Sequence, residues 1–137
     1  MTPLLRDYHG HPYDLTSPDE AGSRFDEQIT TIMPHGECGQ TLTIGSTDGP
    51  VLRIDIDADA DRAALRWLPD GSHATDLDAD TPITVYESPD TGLRDIPAGL
   101  ARVNVATARN AVIEYVTSGQ RPASVVWVHE EPPACSA

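Results

Sequence analysis

The sequence contains no lysine. Its strongly basic side chains are nine arginines, set against 22 acidic residues, for a formal net charge of -13. Such a field repels phosphate backbones and anionic membranes, so direct nucleic-acid binding is disfavoured and a basic partner is favoured. An acidic surface that only keeps a protein soluble accounts for the same charge. Cysteine is scarce: Cys38 lies in a Gly-flanked loop and Cys135 near the C-terminus, far apart and without ligand-like spacing. A disulfide scaffold or a zinc site is therefore not expected. No run approaches the ~18 apolar residues that a membrane span needs. Residues 1–7 hold one basic residue and no apolar stretch long enough for a secretory signal, so the expected location is the cytosol. The ten glycines are scattered, which leaves neither a phosphate loop nor a dinucleotide fingerprint. No repeat, low-complexity tract or linker divides the chain. A hydrophobic fraction of 39% and a mean hydropathy of -0.34 suit a soluble globular protein. One domain over residues 1–137 is expected, with about 130–137, "HEEPPACSA" and its surroundings, as a frayed tail.

What is present begins with a helix. In "TSPDEAGSRFDEQI", Ser17 can cap, Pro18 suits the first helical position and Glu20 completes a capping box. Ala21, Phe25 and Ile29 recur every fourth residue and form one apolar stripe. Gly22 weakens this helix by ~1 kcal/mol against alanine, and the helix should end near "MPHGECG". The period then becomes two, with strands at "QTLTIGS", "VLRIDID", "AALRWL" and "ITVYES" and a short one near His73 to Leu77. "TDGP", "DADADR" and "PDGSH" read as turns. "PDTGLRDIPAGLARVN" reads as irregular. A second helix runs from Asn104 or Val105 to about Thr117, with Ala108, Ala111, Val112, Tyr115 and Val116 on one face and Gly119 as its left-handed stop. "ASVVWVH" reads as a last, buried strand. These elements predict an α+β fold: a mostly antiparallel sheet with two helices packed on one face, in two layers.

Four aspartates, Asp55, Asp57, Asp59 and Asp61, stand at every second position of "RIDIDADADR". They suggest either a cation site or the wet face of a strand. A helix-loop-helix calcium loop needs glycine at position six and glutamate at twelve. Counting from Asp55, those positions are Ala60 and Arg66. The second ladder, Asp76, Asp78 and Asp80, reaches Glu87 at position twelve but has Thr81 at six, and proline and glycine occupy the flanks where helices should stand. Both ladders therefore read as solvated strand edges and turns.

Other chemistry is thin. His9 and His11 in "YHGHPYD" could chelate a metal with Asp7 or Asp14, but no fourth ligand is specified, and Gly10 and Pro12 suggest a turn. His35 and Cys38 form at most a dyad three residues apart, and no glycine-framed nucleophile elbow exists. Trp67 and Trp127 read as core, although Trp67 beside Asp55, Asp57 and Arg66 also fits a protein-binding anchor rimmed by charge.

Residues 105–127, "VATARNAVIEYVTSGQRPASVVW", resemble the closing signature of the first immunity-protein family of bacterial polymorphic toxin systems. There a helix runs into "xTGxRPxxVxW", matched here by Thr117, Gly119, Arg121, Pro122, Val125 and Trp127, with Ser118 between the threonine and the glycine. "VLRIDIDADADRAALRW", "LTSPDEAGSRFDEQI" and "VYESPDTGLRDIPAGLARVNV" are similar to the family's strand pair with its acidic turn, its first helix, and the Gly- and Pro-bearing segment before its last helix. The Lys-free composition also resembles that of actinobacterial proteins.

The resemblance implies an α+β protein without a cofactor or catalytic activity that neutralises a cognate toxin, often a deaminase and otherwise frequently a nuclease, inside the producing cell. An acidic inhibitor suits a basic toxin. The expected docking residues are Asp55, Asp57, Asp59, Asp61 and Trp67, then Asp76, Asp78 and Asp80. Arg121, Pro122 and Trp127 are assigned to folding. No bound metal, nucleic acid or membrane is expected. Two rivals remain open at this point: a small-ligand or accessory protein of specialised metabolism with a pocket near Tyr86, Tyr115 and Trp127, and a metal-dependent enzyme using His9 and His11.

Overall fold

A computed structural model of the chain describes residues 3–7, 11–30, 39–46, 49–57, 60–76, 81–88 and 92–128. Along the chain these form β1 (Leu4–Arg6), β2 (Pro12–Asp14), α1 (Pro18–Thr30), β3 (Gly39–Ser46), β4 (Gly49–Asp57), β5 (Arg62–Trp67), β6 (Ser72–Thr75), β7 (Ile83–Ser88), β8 (Gly92–Ile96), α2 (Val105–Ser118) and β9 (Val126–Val128). The strands join in one sheet in the order β2-β1-β3-β4-β5-β6-β9, with the β7–β8 hairpin attached to β3. Every pairing is antiparallel except β3 with β7, where Gly39 opposes Val85 and Gln40 opposes Tyr86. Both helices lie over one face of the sheet. The architecture is the α+β arrangement that the two periodicities predict.

The helix-side core follows from strand alternation. Leu5, Ile44, Leu52, Ile54, Leu65 and Ala74 meet Ala21 and Phe25 of α1 and Ala108, Ala111, Val112 and Tyr115 of α2. Ser17 Oγ accepts from the Glu20 amide at 3.1 Å, as a cap should. Glu20 reaches one residue further back than the usual box, taking the Thr16 amide at 2.8 Å. Gly22, costly in isolation, sits where α2 comes closest: a Cβ there would stand 2.7 Å from Arg109 Nη2. Arg109 bridges the helices to Asp26 at 2.9 and 3.1 Å. Asn104 caps α2 by accepting from the Thr107 amide at 2.8 Å, and Gly119 ends it at φ 73°, donating to Tyr115 O.

The structure differs from the sequence-based expectation in two places. The segment read as irregular contains β8, which pairs with β7 to build a second, smaller core of Ala64, Ile83, Val85, Ile96 and Ala101. Ala64 faces away from its helix-side neighbours Ala63 and Leu65, so this core covers the opposite face of the sheet. The last strand is not buried. It is three residues long, lies at the sheet edge, and leaves Val126 64% exposed. The tail from residue 129, both cysteines, His9, His35 and the first half of the "TDGP" turn lie outside the described residues.

Candidate functional site

The first aspartate ladder does not share one environment. Asp55 is fully buried, against the expectation that it lies on a wet face. Strand β4 is central, between β3 and β5, and the second core closes over this part of its outer face. Thr41 Oγ1 donates to Asp55 Oδ1 at 2.7 Å, Arg53 gives Nε and Nη2 to the two oxygens at 3.1 Å each, and Arg66 Nη2 reaches Oδ2 at 2.8 Å. Burial alone pushes the carboxyl pKa up, but the bonds from Arg53, Thr41 and Arg66 outweigh it and hold Asp55 below the ordinary aspartate value. Asp55 is thus the neutralising centre of an arginine pair and offers nothing to a docking partner.

Asp57 and Asp61 stand in the β4–β5 turn at one end of the sheet, and Asp76 follows β6 at that same end. Asp57 is half-buried, whereas Asp61 and Asp76 are exposed. Asp61 adopts φ 52°, a left-handed conformation that aspartate tolerates better than most residues. The turn packs against the start of α2. Asp61 Oδ1 accepts from the Val105 amide at 3.2 Å, and Asp76 Oδ2 accepts from Thr107 Oγ1 at 3.2 Å. The first turn of α2 has no acidic residue of its own. Carboxylates from two distant segments therefore supply the negative charge that a helix N-terminus favours. Arg62 ties this end together through Ala101 O at 2.7 Å and Thr81 O at 2.9 Å. Asp59, Asp78 and Asp80 lie outside the described residues.

Trp67 is not beside this acidic end. It pairs with Leu52, five residues along β5 from the Asp57–Arg62 pair, which is about 17 Å at ~3.3 Å per residue. It is half-buried on the helix side, edge-on to Tyr115 at 5.8 Å and to Trp127 at 6.5 Å between centroids. Trp67 thus packs against two of the three aromatic residues near which a pocket was one expectation. Tyr86 stands on β7, in the hairpin over the other face. A cleft of about 300 Å³ occurs elsewhere, between the start of α1 and the end of α2, lined by Pro3, Leu15, Thr16, Val116 and neighbours.

The residues of the C-terminal signature hold one another. Trp127 Nε1 donates to Pro122 O at 2.6 Å, and the Arg121 guanidinium lies 5.5 Å from the Trp127 ring centroid. Arg121 also donates to Asp70 at 3.0 Å and to Ser72 at 3.2 Å. Glu114 accepts from the Ala123 and Ser124 amides at 2.6 and 3.2 Å, and hydrogen bonding from the Ser124 side chain first, then from the Ala123 amide, lowers its pKa. Sequence reasoning missed Glu114, although its place nine residues before Ala123 on the exposed side of α2 offered no periodic signal.

Among the described residues no group of three or more His, Cys, Asp or Glu is placed to hold a metal ion. His11 lies exposed beside Asp7, its Nδ1 3.6 Å from Oδ2. No helix among the described residues is long and apolar enough to cross a membrane. No curated protein matches the sequence. The family model of immunity protein Imm1 matches residues 9–129, and by that match the chain belongs to the Imm1 family of immunity proteins.

Proposed function

We propose that this immunity protein acts in the cytoplasm, without catalysis, by binding a basic toxin of the deaminase or nuclease kind and covering its active site. The observation that carries this reading is the family match over residues 9–129. The formal charge of -13 supports the sign of the partner. Opposed fields accelerate encounter and disfavour wrong partners. The proposed docking surface is the acidic end of the sheet, with Asp57, Asp61 and Asp76 at its described part and Asp59, Asp78 and Asp80 in the adjoining segments. Asp55 is excluded by its burial. Trp67 is left to its packing with Tyr115 and Trp127.

The test is a pulldown and co-expression with the toxin encoded beside this chain. Protection of the host cell and a complex that weakens as salt rises are the expected results. Replacing Asp61 and Asp76 together by arginine should weaken binding by about tenfold or more. Absent or salt-insensitive binding would sink the acidic-end reading.

A further inference from the structure

The cleft between the start of α1 and the end of α2 has no part in the acidic-end reading, and its chemistry is one-sided. Its most buried lining residue, Leu15, is 1% exposed, and Pro3, Pro18 and Val116 add further apolar surface. Hydroxyls complete the lining. Thr16 and Thr117 are exposed and Ser17 is half-buried, so the polar groups stand nearer to solvent than Leu15 does. The volume of about 300 Å³ lies at the bottom of the ~300–1,000 Å³ range of small-molecule sites. One slender chain with an apolar stem and a polar head suits such a space.

The polar groups around the cleft have mostly given their protons away. Thr16 Oγ1 donates to Glu20 Oε1 at 2.9 Å, and Thr117 Oγ1 donates to Ile113 O at 2.8 Å. Each hydroxyl has a single proton, so what these two offer a ligand is lone pairs. Backbone donors are spent in the same way. The Leu15 amide goes to Pro3 O at 2.9 Å and the Thr16 amide to Glu20 at 2.8 Å, whereas Pro3 and Pro18 have no amide proton. The Val116 and Thr117 amides lie in the body of α2, where they bond four residues back. Ser17 is left as the source of donors. An anion would therefore find few partners here, with the carboxylates of Asp19 and Glu20 in the adjoining first turn of α1.

The charge points the same way. The last turn of α2, which forms the other side of the cleft, holds no basic residue, so no cation of that turn answers the partial negative charge of the helix C-terminus. Arg121, just past the helix, is turned to Asp70 and to the Trp127 ring. We propose that this cleft receives a basic side chain, arginine or lysine, from the surface of the same toxin, with its aliphatic stem along Leu15 and Val116 and its charged head among the acceptors of Thr16 and Thr117. The inference rests on the proposed immunity function. Arginine and lysine carry the combination the lining calls for, a methylene stem ending in several donors and no acceptor. The cleft is separate from the acidic end. Asp61 bonds the first residue of α2 and Thr117 lies in its last turn, about 18 Å away at ~1.5 Å per residue. One basic face of ordinary interface size spans both points. A side chain seated at the far end of α2 then fixes the orientation that a diffuse field leaves open.

The experiment is calorimetric titration of the toxin encoded beside this chain against the unmodified protein, Thr117→Arg, Thr117→Glu and Asn110→Arg, each of verified thermal stability. Thr117→Arg sets a cation of the chain's own at the cleft, and arginine in a last helical turn does not threaten folding. Asn110 is exposed on α2 about two turns earlier, outside the cleft, and controls for added positive charge. Thr117→Arg should bind about 30-fold more weakly and Asn110→Arg within about threefold of the unmodified chain. Thr117→Glu should bind about threefold more tightly, since it adds a counter-ion for the incoming head. Thr117→Arg no weaker than Asn110→Arg, or Thr117→Glu weakened as much as Thr117→Arg, would overturn the cleft. A loss confined to Asp61→Arg with Asp76→Arg would overturn it as well and leave the acidic end standing. An unmodified chain that binds no toxin would overturn both.

Discussion

The two faces of this sheet are equally dry in places and are dry for different reasons. On the helix side, the rows Leu42–Ile54–Leu65 and Ile44–Leu52–Trp67 exclude water because every member is apolar. On the other side, Thr41–Asp55–Ala64 is as inaccessible, yet its centre is a carboxylate gripped by two guanidiniums and a hydroxyl. Strand alternation says which residues share a face. Whether that face is wet depends on what is later laid across it, here a hairpin that begins at Ile83.

The sharpest way to break this comparison is to truncate adjacent residues on opposite faces. Ile54→Ala should cost about 3 kcal/mol through the cavity it leaves. Asp55→Ala should cost a similar ~3 kcal/mol or more, because two half-buried arginines lose their common counter-ion. Urea unfolding of both variants measures this. An Asp55→Ala cost below ~0.5 kcal/mol would put Asp55 among ordinary surface residues.

Acid distinguishes the faces further. The folded-state pKa of Asp55 is depressed, so its contribution is present above the unfolded value near ~4 and is lost as pH falls through the lower folded value. Stability of the unmodified protein should therefore fall steeply below about pH 4, and Asp55→Asn should show a shallower fall there. The apolar rows contribute no such slope. The smallest expected effect is at the helix layer's rim: Asn104→Ala removes the cap bond to Thr107 and should cost about 1 kcal/mol, independent of acid in that window.

How much of this could be read from the chain varies with the range of the cause. The start of helix α1 was legible, because Ser17, Pro18 and Glu20 announce it locally, and α2 was legible at both ends from Asn104 and Gly119. The strands β3, β4, β5 and β7 were legible from period two. β8 was not, since Gly92, Pro97 and Gly99 around "LRDI" imitate a loop and its partner core lies across the sheet. β9 was misjudged as buried because an apolar run of three valines and a tryptophan looks the same in a central strand and at an edge. In the candidate site, Asp61 and Asp76 were legible as exposed, whereas the burial of Asp55 and the distance of Trp67 from the acidic turn required the register. The line Arg6, Thr43, Arg53 and Arg66 was invisible for the same reason: its members are 10 to 60 positions apart in the chain and meet only through pairing.

The β7–β8 hairpin grips β3 by two register pairs, at Gly39 and Gln40, and Gly39 is the residue there because any side chain would collide with the Ile56 carbonyl. The cover over Asp55 is thus held by two described backbone pairs and by the apolar core of Ala64, Ile83, Val85, Ile96 and Ala101. Lifting that cover would let solvent reach the ionic centre and turn it into an ordinary surface pair of little worth, with the apolar layer still intact. Opening on that side would then cost the ionic centre while sparing the helix-side apolar layer, an order that amide exchange of β7 against α2 would reveal.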